Sequence, residues 1–332
     1  MNRWLNKEKS LEAERIMNNF GRTNTPFVFV IDFLSEKPII IPFSELESGK
    51  LYFDFPKLNH LPGQSEPLPE KIEFAAITPD EDHYQKAYKI VQQGLKHGDS
   101  YLLNLTMPTA IKTNLTLENL FTHSEARYKV YLADTMVCFS PETFISINSK
   151  GIIASHPMKG TIDASVPEAA IRLQQDPKEK AEHYTIVDLI RNDLSLVAEK
   201  VRVNRFAYIT PIKARGKELL QMSSEISGIL PTSWKEAIGS ILYKLLPAGS
   251  ISGAPKEKTI EIIQEAEGYR RGYYTGVAGY FDGETLDSCV MIRYIEMSDE
   301  GLFFKSGGGI TINSDIKTEW EELLQKIYVT IS

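Results

Sequence analysis

Four glutamates in this 332-residue chain form two pairs with the same spacing, Glu179 with Glu182 and Glu319 with Glu322. On a helix, residues three apart share a face, so each pair presents two carboxylates to one side. Carboxylates brought together repel unless a cation stands between them. Mg2+ suits such a set, since it keeps waters and substrate beside one or two carboxylates. Spacing alone favours the plainer reading, two solvated helix faces. Lys159, in HPMKGT, lies between a strand-like run and a glycine. A lysine beside a turn is ordinarily solvated; burial or a neighbouring cation turns its amine into a nucleophile. Glu142, in SPE, acts as a general acid if burial raises its pKa. Arg293 falls in an apolar, strand-like run, VMIRYI, where a guanidinium requires a carboxylate from the protein or from a ligand. His183 follows Glu182 and reads as a structural histidine rather than a metal ligand.

Two glycine clusters stand beside these residues. LLPAGSISGAPK sets Gly249 and Gly253 among small hydroxyl residues ahead of a helix, and SGGGI places Gly307, Gly308 and Gly309 in or beside a strand. Glycine in a strand marks close approach of a ligand or another backbone, and exposed N–H groups in such loops hold anions. Tight turns explain both clusters as well. Neither matches a dinucleotide or P-loop fingerprint.

The elements that must position these groups follow from periodicity and punctuation. An amphipathic helix ends near Gly21, and PFVFVIDFLSEKPIIIPFSEL reads as two strands around a turn. FPKLNHLPGQSEPLPEKIEF is the best linker, and the helix after it closes at Gly98. Strand-like YLLNLTMPTAI and MVCFSPETFISINSKGIIASHPM precede a helical section from Pro167 to Leu196. TGVAGYFDG and DSCVMIRYIEM alternate as an antiparallel pair turning at Asp282 and Gly283, then come the strand FFKSGGGITI and the helix KTEWEELLQKIYVTI. Strands and helices come in runs rather than strict alternation, which predicts an α+β fold with mainly antiparallel sheet.

Composition excludes several classes. Thirty-seven basic against forty-four acidic residues give a net charge of −7, unsuited to non-specific nucleic-acid binding. An anionic ligand would need a locally positive site. Two cysteines, Cys138 and Cys289, make neither a disulfide framework nor a zinc site. The charged opening residues lack a signal-peptide core, and no apolar run suits a membrane span. A cytoplasmic protein with no nucleic-acid or membrane partner is expected.

The order of the segments carries more than any one of them. In succession, SPETF, HPMKGT, EKAEHYTIVDLIRNDL, LLPAGSISGAPK, RRGYYTGVAGY, SGGGITINSD and EWEELLQK resemble the chorismate-utilising enzymes. That family includes anthranilate synthase component I, aminodeoxychorismate synthase component I, and the isochorismate and salicylate synthases. The resemblance runs from about Asp82 to the C-terminus. HPMKGT is similar to the PIKGT pattern of aminodeoxychorismate synthase component I, where anthranilate and isochorismate synthases carry alanine. The resemblance implies stacked, mainly antiparallel sheets flanked by helices. The expected division is residues 1–75, an N-terminal segment joining the main sheets as a reduced regulatory region, and residues 76–332, a chorismate-binding catalytic domain.

The resemblance also implies a chemistry, amination of chorismate at C4. Lys159 would add to C2 as the C4 hydroxyl leaves, with Glu142 protonating that hydroxyl. Ammonia would then add at C4 and expel the lysine, giving 4-amino-4-deoxychorismate on the way to 4-aminobenzoate and folate. Glu182 and Glu322 match glutamates that hold Mg2+ on the ring carboxylate, and Glu179 and Glu319 match neighbours acting through metal-bound water. Arg293, Lys326 and the backbone of Gly307, Gly308 and Gly309 match groups that bind substrate carboxylates. Tyr274, Ser252 and Thr161 match substrate-contacting positions. Ser252 replaces the usual threonine and keeps its hydroxyl. Gln221, in QMSS, stands where the family commonly has histidine, so the acid–base role of that histidine does not carry over. No Cys/His signature of a glutamine amidotransferase is present, so the expected partners are chorismate, ammonia and a separate amidotransferase subunit. Two alternatives remain at the level of sequence. Anthranilate synthase component I is opposed by Lys159. A non-catalytic chorismate-binding or scaffolding homologue is opposed by the joint presence of Lys159, Glu142, Glu182, Glu322, Arg293 and Lys326.

Overall fold

A computed structural model describes residues 4–63, 67–214, 217–253, 255–329 and 331. The chain forms two compact units, each assembled from three stretches. Met1–Phe43, Glu142–Ser250 and Gly279–Cys289 make the first; Ser44–Pro141, Ile251–Ala278 and Val290–Ser332 make the second. A single boundary after residue 75 therefore does not describe the molecule. The reason is strand pairing at long range, which shares the N-terminal segment between two sheets: Phe27–Ile31 and Ile39–Pro42 enter one, Leu51–Phe55 and Leu58–His60 the other.

The first unit is built on a nine-stranded sheet. Its order is Met158–Asp163, Lys217–Ile229, Ile152–Ser155, Thr143–Ile147, Leu286–Val290, Val277–Phe281, Phe27–Ile31 and Ile39–Pro42, with Glu199–Ala214 also paired to Lys217–Ile229. Phe27–Ile31 is buried at every position, which is why it reads as an unbroken apolar run rather than an alternating one. The long hairpin of Glu199–Ala214 and Lys217–Ile229 is a finding of the structure, since its polar, charge-rich strands carry little periodic signal. The helical section from Pro167 proves to be two helices, Ala169–Gln175 and Pro177–Ser195, with Asp176 ending one and capping the next.

The second unit holds an eight-stranded sheet. Its order is Leu58–His60, Leu51–Phe55, Tyr128–Leu132, Met136–Ser140, Tyr294–Ser298, Gly301–Ile310, Leu103–Thr113 and Phe74–Ala76. The helix Glu81–His97 is capped by Asp80 and closed by Gly98 in the left-handed conformation. Its Tyr84, Val91 and Leu95 pack with Leu103, Leu105, Ile263 and Leu323 in one core cluster. The linker candidate contains the strand Leu58–His60, and the C-terminal helix, Ile316–Gln325, is shorter than expected.

Two apparently continuous strands are broken where the chain passes from one sheet to the other. MVCFSPETF divides into Met136–Ser140 and Thr143–Ile147, on either side of Pro141 and Glu142. DSCVMIRYIEM divides into Leu286–Val290 and Tyr294–Ser298. Arg293 therefore stands at a break at φ +54, not within a strand. Among the described residues, no helix is long and apolar enough to cross a membrane.

Candidate functional site

In the first unit, Lys159 and Thr161 lie on Met158–Asp163, which pairs antiparallel with Lys217–Ile229 and is irregular between those two residues. Gly160 sits at that irregularity at φ +77, and a Cβ there would fall 2.9 Å from both Glu179 Oε2 and Leu173 Cδ1. Glycine is what allows the strand so close to the helices. Lys159 is thus a strand residue rather than a solvated turn residue. Its Nζ stands 3.5 Å from Glu182 Oε2, and the two side chains are 22% and 11% exposed. An ammonium in such a pair has no lone pair to offer, so nucleophilic use requires loss of its proton.

The helix Pro177–Ser195 begins where Asp176 accepts from Glu179 N at 2.9 Å, with proline in the first turn. This start sets Glu179 and Glu182 one turn apart. His183 is fully buried and shares a 2.7 Å hydrogen bond between Nε2 and Ser224 Oγ. Burial first, and the Lys159 charge second, pull its pKa down to about 4, so the imidazole is neutral near pH 7. Its Nδ1 is buried without a hydrogen-bond partner, as is Gln221 Oε1. Gln221 pairs in register with Thr161, which is exposed. Glu142 accepts a short hydrogen bond from Ser250 Oγ. Burial raises the Glu142 carboxyl above its ordinary range, against the lowering effects of that bond and of the Lys159 charge. Such a carboxyl keeps its proton to higher pH than an exposed one, as a general acid must. Sequence reasoning missed Ser250, although the hydroxyl-rich SIS segment was the available signal.

In the second unit, Gly307, Gly308 and Gly309 lie within a strand, opposite Thr106, Leu105 and Asn104. A Cβ on Gly307 would fall 2.5 Å from both Leu105 O and Thr106 Cγ2. A Cβ on Gly308 would instead stand 3.4 Å from Glu319 Oε2, 3.8 Å from Lys326 Nζ and 3.9 Å from Glu322 Oε1. One glycine lets two strands meet; the next leaves a space facing two carboxylates and an ammonium. The helix Ile316–Gln325 starts at Asp315, which accepts from Thr318 N at 2.9 Å and places Glu319 and Glu322 toward that space. Glu319 is 2% exposed, and Lys326 Nζ lies 2.7 Å from Glu322 Oε1 and 2.8 Å from Gly307 O.

Arg293 Nη1 donates to Lys326 O at 3.0 Å, and its guanidinium lies 5.1 Å from the Tyr328 ring centre. The structure thus brings Arg293, Lys326 and the glycine strand together. Tyr274 is buried against Tyr294, with ring centres 5.7 Å apart, and burial pushes its phenol above the ordinary range. Ser252 is fully buried. The neighbouring Gly253, at φ +83, leaves no room for a Cβ against Leu102 O, so close backbone packing accounts for this glycine.

Residues 46–332 match the family described as chorismate binding enzyme. The chain belongs to that family. It is 51% identical to a Haemophilus influenzae relative named uncharacterized PabA-like protein, over 95% of each chain. It is 31% identical to aminodeoxychorismate synthase component 1 of Bacillus subtilis, over 75% of this chain and 54% of that relative. A solved anthranilate synthase component I from Streptococcus pneumoniae is similar with a TM-score of 0.63 and 24% identity, over 77% of this chain and 58% of that one. The α+β architecture with antiparallel sheets is therefore that of the chorismate-utilising enzymes.

The glutamate pairs of this family member offer only carboxylate oxygens, a hard donor set that fits Mg2+ better than a soft metal. Among the described residues, no three or more His, Cys, Asp or Glu side chains gather as a metal site. Lysines accompany the carboxylates instead, Lys159 beside Glu182 and Lys326 beside Glu322. Mg2+ held by only one or two protein carboxylates completes its shell with water and substrate oxygens, and Glu182 and Glu322 are the carboxylates that would serve it here.

Proposed function

We propose that the protein aminates chorismate at C4 to give 4-amino-4-deoxychorismate, for 4-aminobenzoate and folate synthesis. Ammonia would come from a separate glutamine amidotransferase subunit. The observation that carries this reading is Lys159, a largely buried amine on a strand, at the position where the aminodeoxychorismate synthase pattern has lysine. Its neutral amine forms a bond to C2 of chorismate, both ring double bonds shift, and the C4–O bond breaks. The departing oxygen takes the proton of Glu142 and leaves as water, for which a raised carboxyl pKa is the right preparation. Ammonia then forms the C4–N bond as the double bonds shift back and the bond from C2 to Lys159 breaks. The new ammonium returns one proton to Glu142, which restores the starting state.

Arg293, Lys326 and the Gly307–Gly309 backbone bind substrate carboxylates in this reading, with Tyr274, Ser252 and Thr161 as further contacts. Glu182 and Glu322, with Glu179 and Glu319 beside them, are the proposed carboxylates for Mg2+, whose charge would offset that of a substrate carboxylate. The test is product analysis after incubation with chorismate, Mg2+ and ammonium salt. Aminodeoxychorismate is expected. Fluorescent anthranilate, or chorismate recovered unchanged, would overturn the reading.

A further inference from the structure

The residue after Tyr274 is a threonine in the left-handed backbone region, Thr275 at φ +62. A β-branched residue there is strained and persists only where its surroundings over-determine it. The surroundings of Thr275 do so. Its Oγ1 donates to Tyr274 O at 2.6 Å and accepts from Arg271 Nη1 at 3.2 Å. Its N donates to Met291 O at 2.8 Å, and Met291 N donates back to Gly276 O at 2.8 Å.

Arg271 is locked in turn. It is 3% exposed, and its Nε and Nη2 reach the two oxygens of Glu267 at 2.8 and 2.6 Å. Nη2 also donates to Asn104 O at 2.6 Å. Glu267, equally buried, accepts from Thr106 N at 2.9 Å and from Thr106 Oγ1 at 2.7 Å. Asn104 and Thr106 are the strand partners of Gly309 and Gly307. A single run of bonds therefore leads from the glycine strand through Glu267, Arg271 and Thr275 to the backbone of Tyr274. Through Met291 it reaches the segment carrying Arg293, itself at φ +54.

We propose that Thr275 and Arg271 are positioning residues that hold Tyr274, Arg293 and the Gly307–Gly309 strand in fixed register for the anionic substrate. The proposal rests on the reading of those three as substrate contacts. Glycine would adopt the same backbone without strain but would withdraw the hydroxyl from the buried Arg271 guanidinium, so strain relief and bond loss roughly offset in stability while the tie to Tyr274 is lost.

The test compares Thr275→Gly, which relieves the strain but removes the hydroxyl, with Thr275→Ser, which keeps it. Chorismate affinity is read by titration calorimetry, the KM and kcat split by turnover, and stability by thermal denaturation of the full chain. Thr275→Gly should melt within about 2 °C of the parent yet bind chorismate roughly tenfold more weakly. Thr275→Ser should bind within about twofold of the parent, because the hydroxyl bonds remain. Parent-like affinity in Thr275→Gly overturns the proposal, and so does an affinity loss that comes only with a lower melting temperature. If the parent binds chorismate but forms no aminodeoxychorismate, the amination reading falls, while the affinities of the two variants still decide this inference.

Discussion

Gly308→Ala separates the space beside the glutamates from the fold that builds it. The added Cβ would meet nothing nearer than Glu319 Oε2 at 3.4 Å, with Lys326 Nζ at 3.8 Å and Glu322 Oε1 at 3.9 Å. These are ordinary contact distances. Inside a strand, alanine is favoured over glycine by about 0.5–1 kcal/mol, through the smaller entropy lost on folding. Stability should therefore be unchanged or slightly higher. The methyl nevertheless occupies the space in front of the carboxylates and Lys326. A ligand group displaced from it loses a hydrogen bond to a charged partner, worth about 1.5–3 kcal/mol. That corresponds to roughly 10- to 150-fold in affinity.

Gly307→Ala is the control. Its Cβ would fall 2.5 Å from Leu105 O and 2.7 Å from Asn104 Oδ1, so Gly301–Ile310 must shift from Leu103–Thr113. Overpacking of this kind costs about 1–3 kcal/mol, a melting temperature lower by roughly 2–6 °C. Chorismate titration calorimetry and thermal denaturation of both variants check the argument. Parent-like affinity in Gly308→Ala would refute the assignment of this space to the ligand. An equal loss of melting temperature in both variants would refute the geometry.

Lys159→Ala should abolish aminodeoxychorismate formation and, by leaving the largely buried Glu182 carboxylate without its cation, cost about 1–3 kcal/mol in denaturant unfolding; retained amination removes Lys159 as the nucleophile. Glu322→Gln or Glu182→Gln should raise the Mg2+ needed for turnover far more than Glu236→Gln at an exposed position, and activity that survives excess chelator sinks the metal assignment. His183, with its folded pKa lowered to about 4, lets the unfolded chain take up a proton first as pH falls. Its contribution is complete above about 6.5 and is lost toward pH 4, on the order of 3 kcal/mol. His183→Gln should flatten that decline in urea unfolding at pH 7, 6 and 5, and identical slopes for parent and variant would contradict the buried neutral imidazole.

What the sequence determined on its own is local. Asp176 before Pro177, and Asp315 ahead of Thr318, start two helices at the points that put Glu179 with Glu182 and Glu319 with Glu322 one turn apart. Gly98 ends a helix, and Phe27–Ile31 announces a buried strand by its unbroken apolar run. Caps, turns and periodicity act over a few residues, so they can be read in order along the chain. The succession of motifs carried the family for the same reason. Only the tertiary structure decided which strands pair, and hence that each unit draws on three separate stretches. It placed Arg293 at a break rather than within a strand, since an apolar run does not reveal a positive φ. It also separated Gly307, which packs against backbone, from Gly308, which leaves room beside the glutamates, and it gave Lys159 a glutamate neighbour and Glu142 its serine. Each of these depends on atoms distant in sequence meeting at a few ångströms, and burial and pairing at that range are properties of the folded chain as a whole.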